Sequence, residues 1–323
     1  MKVFHLWGVN GEPSFISPES VALYWILNDP ELGYFTNDDD DKEIVFSNNT
    51  DLSPTGHLPL LIVSDEGMND VKIAGFDSII RYFQRLMITD DEHNEQLYEN
   101  ALLEYVMHDI CPLTLYQLYL NKSNYVGFTR KQFSKLLYFP MWYNVPIGYR
   151  AAIRSQCDKQ LNLEYALVEE DPDYVSDNED TNVLDVANMA QSKTFKLKAK
   201  SLVRNKNELY EIKHNLQYLN KMADVLKEWY TIRYESLPRG HTHYVAADIL
   251  LWANIYIQIN LPEGSKVLDR LTEDLTEEQV TQVLEIIGKL SKRCNVLKER
   301  DPIFKEQGNV VMSLYHKCTS YLI

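Results

Sequence analysis

The fold of this chain is decided by the stretch Leu58-Pro59-Leu60-Leu61-Ile62-Val63. It is an apolar run with a proline at its entrance, where a missing backbone donor is tolerated, so it predicts a strand. A turn-rich cluster at residues 65–70 separates it from a second strand-like run at residues 71–74. A helix face follows, predicted from helical spacing of Ile79, Ile80, Phe83, Leu86 and Met87. The local order is therefore strand, strand, helix.

Upstream of this stretch, the sequence predicts a strand, a helix and another strand. Residues 3–7 are apolar and are followed by the turn Gly8-Val9-Asn10-Gly11. Ser17-Pro18-Glu19 predicts a helix start, with Ser as the cap, Pro in the first position and an acid in the first turn. Residues 43–47 form the next strand-like run. The first ninety residues thus read β-α-β followed by β-β-α.

This order resembles the thioredoxin-like domain of the glutathione-transferase superfamily. In that superfamily the proline before the third strand is cis and presents backbone groups to the thiol substrate. Pro59 stands in the matching place and is our candidate for a structural cis-proline. The resemblance implies a glutathione-transferase-like architecture. It consists of an α/β thioredoxin-like domain at residues 1–90 and an all-α domain at residues 91–323.

The resemblance covers the architecture and leaves out the chemistry. A transferase activates its thiol with Tyr, Ser or Cys just after the first strand, where this chain has residues 8–11 (GVNG). Gly75 and Phe76 replace the Glu-Ser pair that holds the charged end of glutathione. Thiol addition without an activated nucleophile is not expected, and only Ser14 or Tyr24 could substitute. We therefore expect no enzyme, and a divergent glutathione-using transferase is the alternative.

The rest of the chain reads as helices separated by prolines. A helix from Tyr98 onward should be kinked or ended by Pro112, and a second should run over residues 129–139 until Pro140. Pro146 should open a third helix. Residues 245–259 form the most apolar helix, but at ~1.5 Å per residue it is shorter than the ~30 Å hydrocarbon core of a bilayer. We therefore expect a soluble chain without a membrane span.

Charge is unevenly distributed along the chain. The formal net charge of −15 disfavours nucleic-acid binding, which needs clustered cations. An acidic, apolar-poor loop is predicted at about residues 168–182. It is followed by a basic run comprising Lys193, Lys196, Lys198, Lys200 and Arg204. This run is either a solvated face or a partner of the acidic loop, or it contacts an acidic protein or lipid headgroups.

An aromatic group surrounds Pro140 and is the other candidate contact region. Phe139, Met141, Trp142 and Tyr143 either fill the gap between the two domains or form an exposed anchor for a partner.

No pattern for a catalytic site, a metal or a cofactor occurs. The four cysteines are far apart and lack a CxxC pair, which favours a reducing compartment. Nucleotide-binding and zinc-protease motifs are missing from the sequence. His241-Thr242-His243 and the acidic run Asp38-Asp39-Asp40-Asp41 read as surface loops. The beginning of the chain lacks the features of a signal or transit peptide.

Four unusual strings, in order along the chain, resemble the metaxin family. They are IVFSNNTDL at residues 44–52, KLLYFPMWYN at 135–144, AQSKTFK at 190–196, and RDP at 300–302 with EQGNVVMSLY at 306–315. Within that family they are most similar to the fungal-type members of the mitochondrial outer-membrane sorting and assembly machinery.

The metaxin resemblance implies an accessory role on the cytosolic face of the mitochondrial outer membrane. Its implied partners are a second metaxin-like subunit, the barrel subunit of the machinery, the general import translocase and β-barrel precursors. The implied task is to stabilise the complex, aid precursor release and couple it to the translocase. Membrane contact would be peripheral, and no cofactor is implied.

Overall fold

The computed structural model describes residues 1–29, 42–64, 70–87, 93–161, 193–235, 244–292, 297–304, 306–308 and 311. Its N-terminal part is a mixed sheet with helices. The elements of this part are β1 (Lys2–Val9), β2 (Glu12–Pro13), α1 (Pro18–Asn28), β3 (Lys42–Ser47), β4 (Leu60–Val63), β5 (Val71–Ala74) and α2 (Phe76–Met87).

Strand β1 is the centre of the sheet. It runs parallel to β3, with Phe4 opposite Ile44, and antiparallel to β4, with Phe4 opposite Leu61. Strand β5 continues the sheet antiparallel to β4. Residues 3–8 are all buried, as expected for a strand that is covered on both faces. The hydroxyl of Ser20 on α1 accepts a hydrogen bond from the Trp7 amide at 3.1 Å, which ties α1 to the end of β1.

The stretch that predicts the fold lies beside this central strand. The Leu58–Pro59 peptide is cis, and the Pro59 carbonyl accepts a hydrogen bond from the Gly75 amide at 3.0 Å. The Phe139–Pro140 peptide is also cis. Helix α2 buries Ile79, Ile80 and Phe83, whereas Leu86 is 60% exposed. The buried face of α2 therefore includes fewer residues than helical spacing predicted. The helix extends beyond the edge of the core before it reaches Leu86.

A strand from the far end of the chain completes the sheet. Strand β6 (Lys298–Arg300) pairs in parallel with β3, with Ile44 opposite Glu299. In the described residues the strand order is β5-β4-β1-β3-β6, and β2 pairs with the end of β1. The sequence did not predict this contribution. It means that residues after 297 add to the sheet of the N-terminal part, while the boundaries 1–90 and 91–323 remain a prediction.

The central part of the chain is helical and contains several π-helical turns. Its helices are α3 (His93–Tyr105), α4 (Cys111–Leu115), α5 (Lys122–Asn124), α6 (Arg130–Leu136), α7 (Met141–Leu161), α8 (Lys193–Tyr230), α9 (Ala246–Ile259), α10 (Gly264–Asp274) and α11 (Glu277–Leu290). The π-turns are Val106–Ile110, Tyr116–Leu120, Tyr125–Thr129 and Thr231–Glu235.

One of the two proline-based expectations is corrected. At Pro112, which was expected to kink or end the helix, the regular helix α3 stops at Tyr105 and a π-turn leads into α4, where Pro112 is in the first turn, so the helical run is interrupted there but does not end. Pro146 does not open a helix. It lies inside α7, whose first turn forms when the Tyr143 and Asn144 amides donate to the Pro140 carbonyl.

Helix α9 is the central helix of the helical part and contacts the N-terminal part. Apart from Tyr256 and Ile259, its residues are buried, and it packs against α1. The rings of Trp25 and Tyr256 are 5.4 Å apart, and the rings of Phe15 and Tyr256 are 5.1 Å apart. A mixed sheet with helices, packed on a helical region in this way, is compatible with a glutathione-transferase-like fold.

Candidate functional site

A cleft of about 560 Å³ opens at the ends of β1 and β3. One wall is the turn at residues 8–11, and another is the end of α6 with residues 137–138. The third wall comes from residues 299–302 and Gln307 of the C-terminal part. The turn at residues 8–11 is where a transferase carries the residue that activates its thiol, so this wall decides whether thiol activation remains possible.

The wall beside β1 has no room for a thiol-activating side chain at its first position. A methyl group on Gly8 would overlap the Phe46 ring and lie 2.5 Å from the Glu12 carbonyl oxygen. Glu12 lies this close because β2 folds back on β1 through a two-residue turn. Asn10 and Gly11 in that turn have φ angles of 57° and 79°, the left-handed geometry of a tight hairpin.

The two substitutes considered for thiol activation are used in other ways. Ser14 is buried, and its hydroxyl accepts a hydrogen bond from the Ile16 amide at 3.5 Å. The Tyr24 hydroxyl donates to Glu299 Oε1 at 3.4 Å. Burial, and then the charge of Glu299, raise the pKa of Tyr24 to about 12. A hydroxyl beside a carboxylate is poorly suited to stabilise a thiolate, because the carboxylate repels the second negative charge.

The N-terminus of α2 already holds a carboxylate of this chain. The Phe76 amide, at the place of the transferase Glu-Ser pair, donates to Glu19 from the first turn of α1. Burial, and then the charge of Asp77, raise the pKa of Glu19 to about 7. The backbone donor that a transferase turns toward its substrate is here engaged within the protein.

The third wall of the cleft belongs to a segment that we call the strap, residues 297–308. Arg300 of the strap bonds Glu43 of β3 through Nε at 2.9 Å and bonds both oxygens of Glu306 at 2.8 and 3.0 Å. Asn48, after β3, accepts from the Gly308 amide at 2.7 Å and donates to the Leu136 carbonyl at 2.6 Å. These bonds fix the strap to the sheet and to the end of α6.

Beneath the strap lies a buried histidine of β1. His5 is fully buried, and neither of its ring nitrogens has a hydrogen-bond partner in the described part of the chain. Its Nε2 lies 3.9 Å from Glu306 Oε1, which is too far for a hydrogen bond. Burial lowers the pKa of His5 to about 4, while the charge of Glu306 opposes this shift.

The predicted aromatic contact group divides into two parts. Phe139 is 76% exposed, and Tyr143 is 36% exposed. Met141 and Trp142 are partly buried and pack against the core. The Trp142 ring lies 6.4 Å from the Phe139 ring and 6.2 Å from the Tyr143 ring. Phe139 thus has the exposure of an anchor, whereas Met141 and Trp142 support the loop that carries it.

Several predicted regions lie wholly or partly outside the described residues. The basic run from Lys193 to Arg204 falls on the backbone of α8, but the positions of its side chains are not described. The acidic loop at about 168–182, the run at 38–41 and the two histidines at 241 and 243 lie outside the described ranges. Within the described ranges, no cluster of metal-binding side chains is found.

One buried ion pair was missed by sequence reasoning. Arg233, in the π-turn after α8, binds Asp248 of α9 through Nε at 3.2 Å and Nη2 at 3.0 Å. Both side chains are almost completely buried. Asp248 also accepts a hydrogen bond from the Val245 amide at 3.0 Å, so its carboxylate satisfies a backbone donor at the start of α9, where Val245 has no polar side chain to act as a cap. The sequence did contain a signal for this pair: an arginine lies shortly before an apolar helix, and the first turn of that helix contains an acidic residue.

Comparison with protein families assigns the chain. A family model described as an outer mitochondrial membrane transport complex protein, Tom37, matches residues 20–150. A second model, the Tom37 C-terminal domain, matches residues 168–321. The chain belongs to the Tom37 family. No curated protein matches it.

Membership of the Tom37 family places the chain in transport at the outer mitochondrial membrane and implies partners in a complex. The end of β3, the end of α6 and Phe139 fall in the N-terminal Tom37 match, and the strap falls in the Tom37 C-terminal domain, so the cleft is lined from both matched regions and from residues 8–11, which precede them. None of the helices described here is both long and apolar enough to cross a membrane.

Proposed function

We propose that this Tom37-family protein is a non-catalytic accessory subunit of the complex that folds and inserts β-barrel precursors at the mitochondrial outer membrane. It sits peripherally on the cytosolic face. There it stabilises the complex, aids release of the folded precursor and couples the complex to the general import translocase. Its partners are a second metaxin-like subunit and the membrane-embedded barrel subunit. Its scaffold derives from a thioredoxin-like domain and a helical transferase-like domain.

The observation that carries the non-catalytic part is the closed thiol site. Gly8 has no space for a side chain, and the Phe76 amide is engaged by Glu19. A catalytic site needs several roles filled together, and here both the activating and the substrate-holding positions are unavailable. The family match supports the transport part of the proposal.

Gentle affinity purification from outer mitochondrial membranes tests the partnership. We expect the barrel subunit and a second metaxin-like subunit to co-purify, and expect alkaline extraction to release the protein from the membrane. A chain that runs as a free dimer, away from any membrane complex, would refute the proposal. The Phe139→Asp variant should co-purify less partner if Phe139 is an anchor. Val126→Asp, at another exposed apolar position, is the matched control.

A thiol-transfer assay with glutathione distinguishes the alternative. We expect no turnover above that of the Asn10→Ala variant, since the turn at residues 8–11 supplies no activating group. Turnover that is abolished by this substitution would instead establish a divergent transferase.

A further inference from the structure

The helical part contains a long segment of the chain without any acidic residue. Between Asp109 and Asp158 there is no Asp or Glu, although the whole chain carries a net charge of −15. The cations of this segment are Lys122, Arg130, Lys131, Lys135, Arg150 and Arg154. The segment is therefore unusually basic for this chain, although other segments bring acids near parts of it: Glu211 pairs with Lys122, and Glu299 and Asp301 line the cleft together with Lys135.

Helix α6 concentrates this charge on one side. Phe133 and Leu136 are buried, whereas Lys131, Ser134 and Lys135 are exposed. The two lysines are four positions apart and therefore neighbours on the helix surface, which is unfavourable for like charges. Neither lysine has a carboxylate partner in the described part of the chain. This arrangement is unfavourable for the helix by itself and leaves both lysines available for a contact.

Exposed aromatic side chains lie directly beyond these lysines. Tyr138 is 59% exposed and Phe139 is 76% exposed, in the loop between α6 and α7. Tyr143 at the start of α7 lies beneath the Arg130 guanidinium, which is 6.0 Å from its ring centre. Aromatic rings next to lysines are the combination that occupies the boundary between lipid headgroups and acyl chains.

We propose that Lys131, Lys135, Tyr138 and Phe139 form a surface that binds the anionic headgroups of a lipid bilayer. We call it the lysine-aromatic surface. The two lysines attract the headgroups, and Tyr138 and Phe139 enter the interfacial layer. This contact rests on the peripheral membrane association proposed above. Loss of vesicle binding in a Phe139 variant with unchanged partner co-purification assigns Phe139 to lipid, whereas reduced co-purification with unchanged vesicle binding assigns it to the protein partner and contradicts its place in this surface.

The composition of the surface favours lipid over an acidic protein. Protein interfaces are enriched in arginine and depleted in lysine. In this segment Lys131 and Lys135 have no described partner, whereas Lys122 pairs with Glu211, Arg130 lies over Tyr143, and Arg150 lies 4.6 Å from the Tyr125 ring centre. Lysine acts as a compact point charge and needs no matched geometry, which suits a fluid layer of headgroups.

Co-sedimentation of the full chain with vesicles tests the charge component. The vesicles contain phosphatidylcholine alone or phosphatidylcholine with phosphatidylinositol. One lysine near an anionic surface changes the partition coefficient about fivefold, so Lys131→Gln/Lys135→Gln should bind anionic vesicles ~30-fold more weakly. Lys289→Gln/Lys292→Gln removes the same charge at exposed positions outside the surface and should bind like the wild type. Circular dichroism checks that all variants are folded.

The aromatic component has its own readout. Phe139→Ser should lower binding about tenfold, and the loss should persist at high salt because it reflects apolar burial. Equal binding of the wild type to neutral and anionic vesicles would overturn the proposal, as would unchanged binding of the double lysine variant. An acidic protein is the ligand instead if the lysine substitutions abolish co-purification of a partner and leave vesicle binding intact.

Discussion

At the scale of single residues, His5 stands out because a polar, titratable ring is fully buried without a hydrogen-bond partner in the described part of the chain. It lies on the central strand, fully buried, with Glu306 of the strap as its nearest counter-charge. Its lowered pKa means that the folded protein holds the neutral ring, whereas the unfolded chain takes up a proton at an ordinary pKa of about 6.5.

This difference predicts a pH dependence of stability. Above pH 6.5 the ring is neutral in both states, and the stability is fully present. As the pH falls from about 6.5 to about 4, only the unfolded chain gains the proton, so the free energy of unfolding decreases by up to ~3 kcal/mol. The His5→Leu variant should lack this component when urea unfolding is measured across that range. His57→Leu, at an exposed position, should keep it; identical pH profiles for His5→Leu and the wild type would contradict the assignment.

Single residues also show what could be read from the sequence. Pro59 was identified from its place before an apolar run. Arg233 was not identified, because a buried ion pair depends on where two chain segments meet. The lack of space at Gly8 could not be predicted from the sequence either. It results from the Phe46 ring, which is remote in sequence, and from the Glu12 carbonyl, which is close only because the chain turns back at residues 10–11.

At the scale of elements, the strap depends on Arg300. Its guanidinium connects β6 to β3 through Glu43 and connects β6 to the turn after it through Glu306. The Arg300 side chain is 24% exposed, so its contribution is that of a partly buried pair with good geometry.

We expect Arg300→Ala to release the strap. The substitution removes both carboxylate contacts and should lower stability by about 1–2 kcal/mol, because Glu43 and Glu306 are left close to each other without a cation between them. Hydrogen exchange of residues 298–308 should accelerate strongly, while exchange in α9 should change little. Lys298→Ala is the matched control. Lys298 also bonds Glu43, but its side chain is 75% exposed, so its loss should have little effect. Unchanged exchange in Arg300→Ala would show that the backbone pairing of β6 is sufficient.

The helices and strands also show which elements could be predicted from sequence patterns and which could not. Strands β1, β3, β4 and β5 and helices α1 and α2 lie where apolar runs, helical spacing, capping and turn signals predicted them. The π-turns and the position of Pro146 inside α7 were not predictable, because packing of neighbouring helices decides whether a proline ends a helix or is accommodated. Strand β6 was missed because three charged residues do not have the composition of a strand.

At the scale of the whole molecule, the two parts share their core. The rings of Phe15, Trp25 and Tyr256 meet across the contact between α1 and α9, and β6 extends the sheet of the N-terminal part. The architecture could be predicted from the order of elements. The extent to which the N-terminal part and the helical part depend on each other could not be predicted, because it rests on contacts between residues far apart in sequence.

We therefore expect that a fragment ending at residue 90 does not fold by itself. It would expose the face of α1 that α9 covers and would leave the edge of β3 unpaired, which favours aggregation. Adding a separately expressed fragment of residues 91–323 should restore near-ultraviolet circular dichroism. A monomeric fragment 1–90 with cooperative thermal unfolding would contradict this expectation and would support an autonomous first domain.

The parallel pairing of β3 with β6 has a consequence for synthesis of the chain. Glu43 and its strap partner Lys298 are 255 residues apart, so β3 leaves the ribosome long before the strand that completes its sheet. At about 5–20 residues per second, that interval lasts tens of seconds. During it the nascent sheet has an open edge able to pair with other strands. Chaperone attachment to the ribosome-bound chain should therefore continue until the strap emerges and then decline.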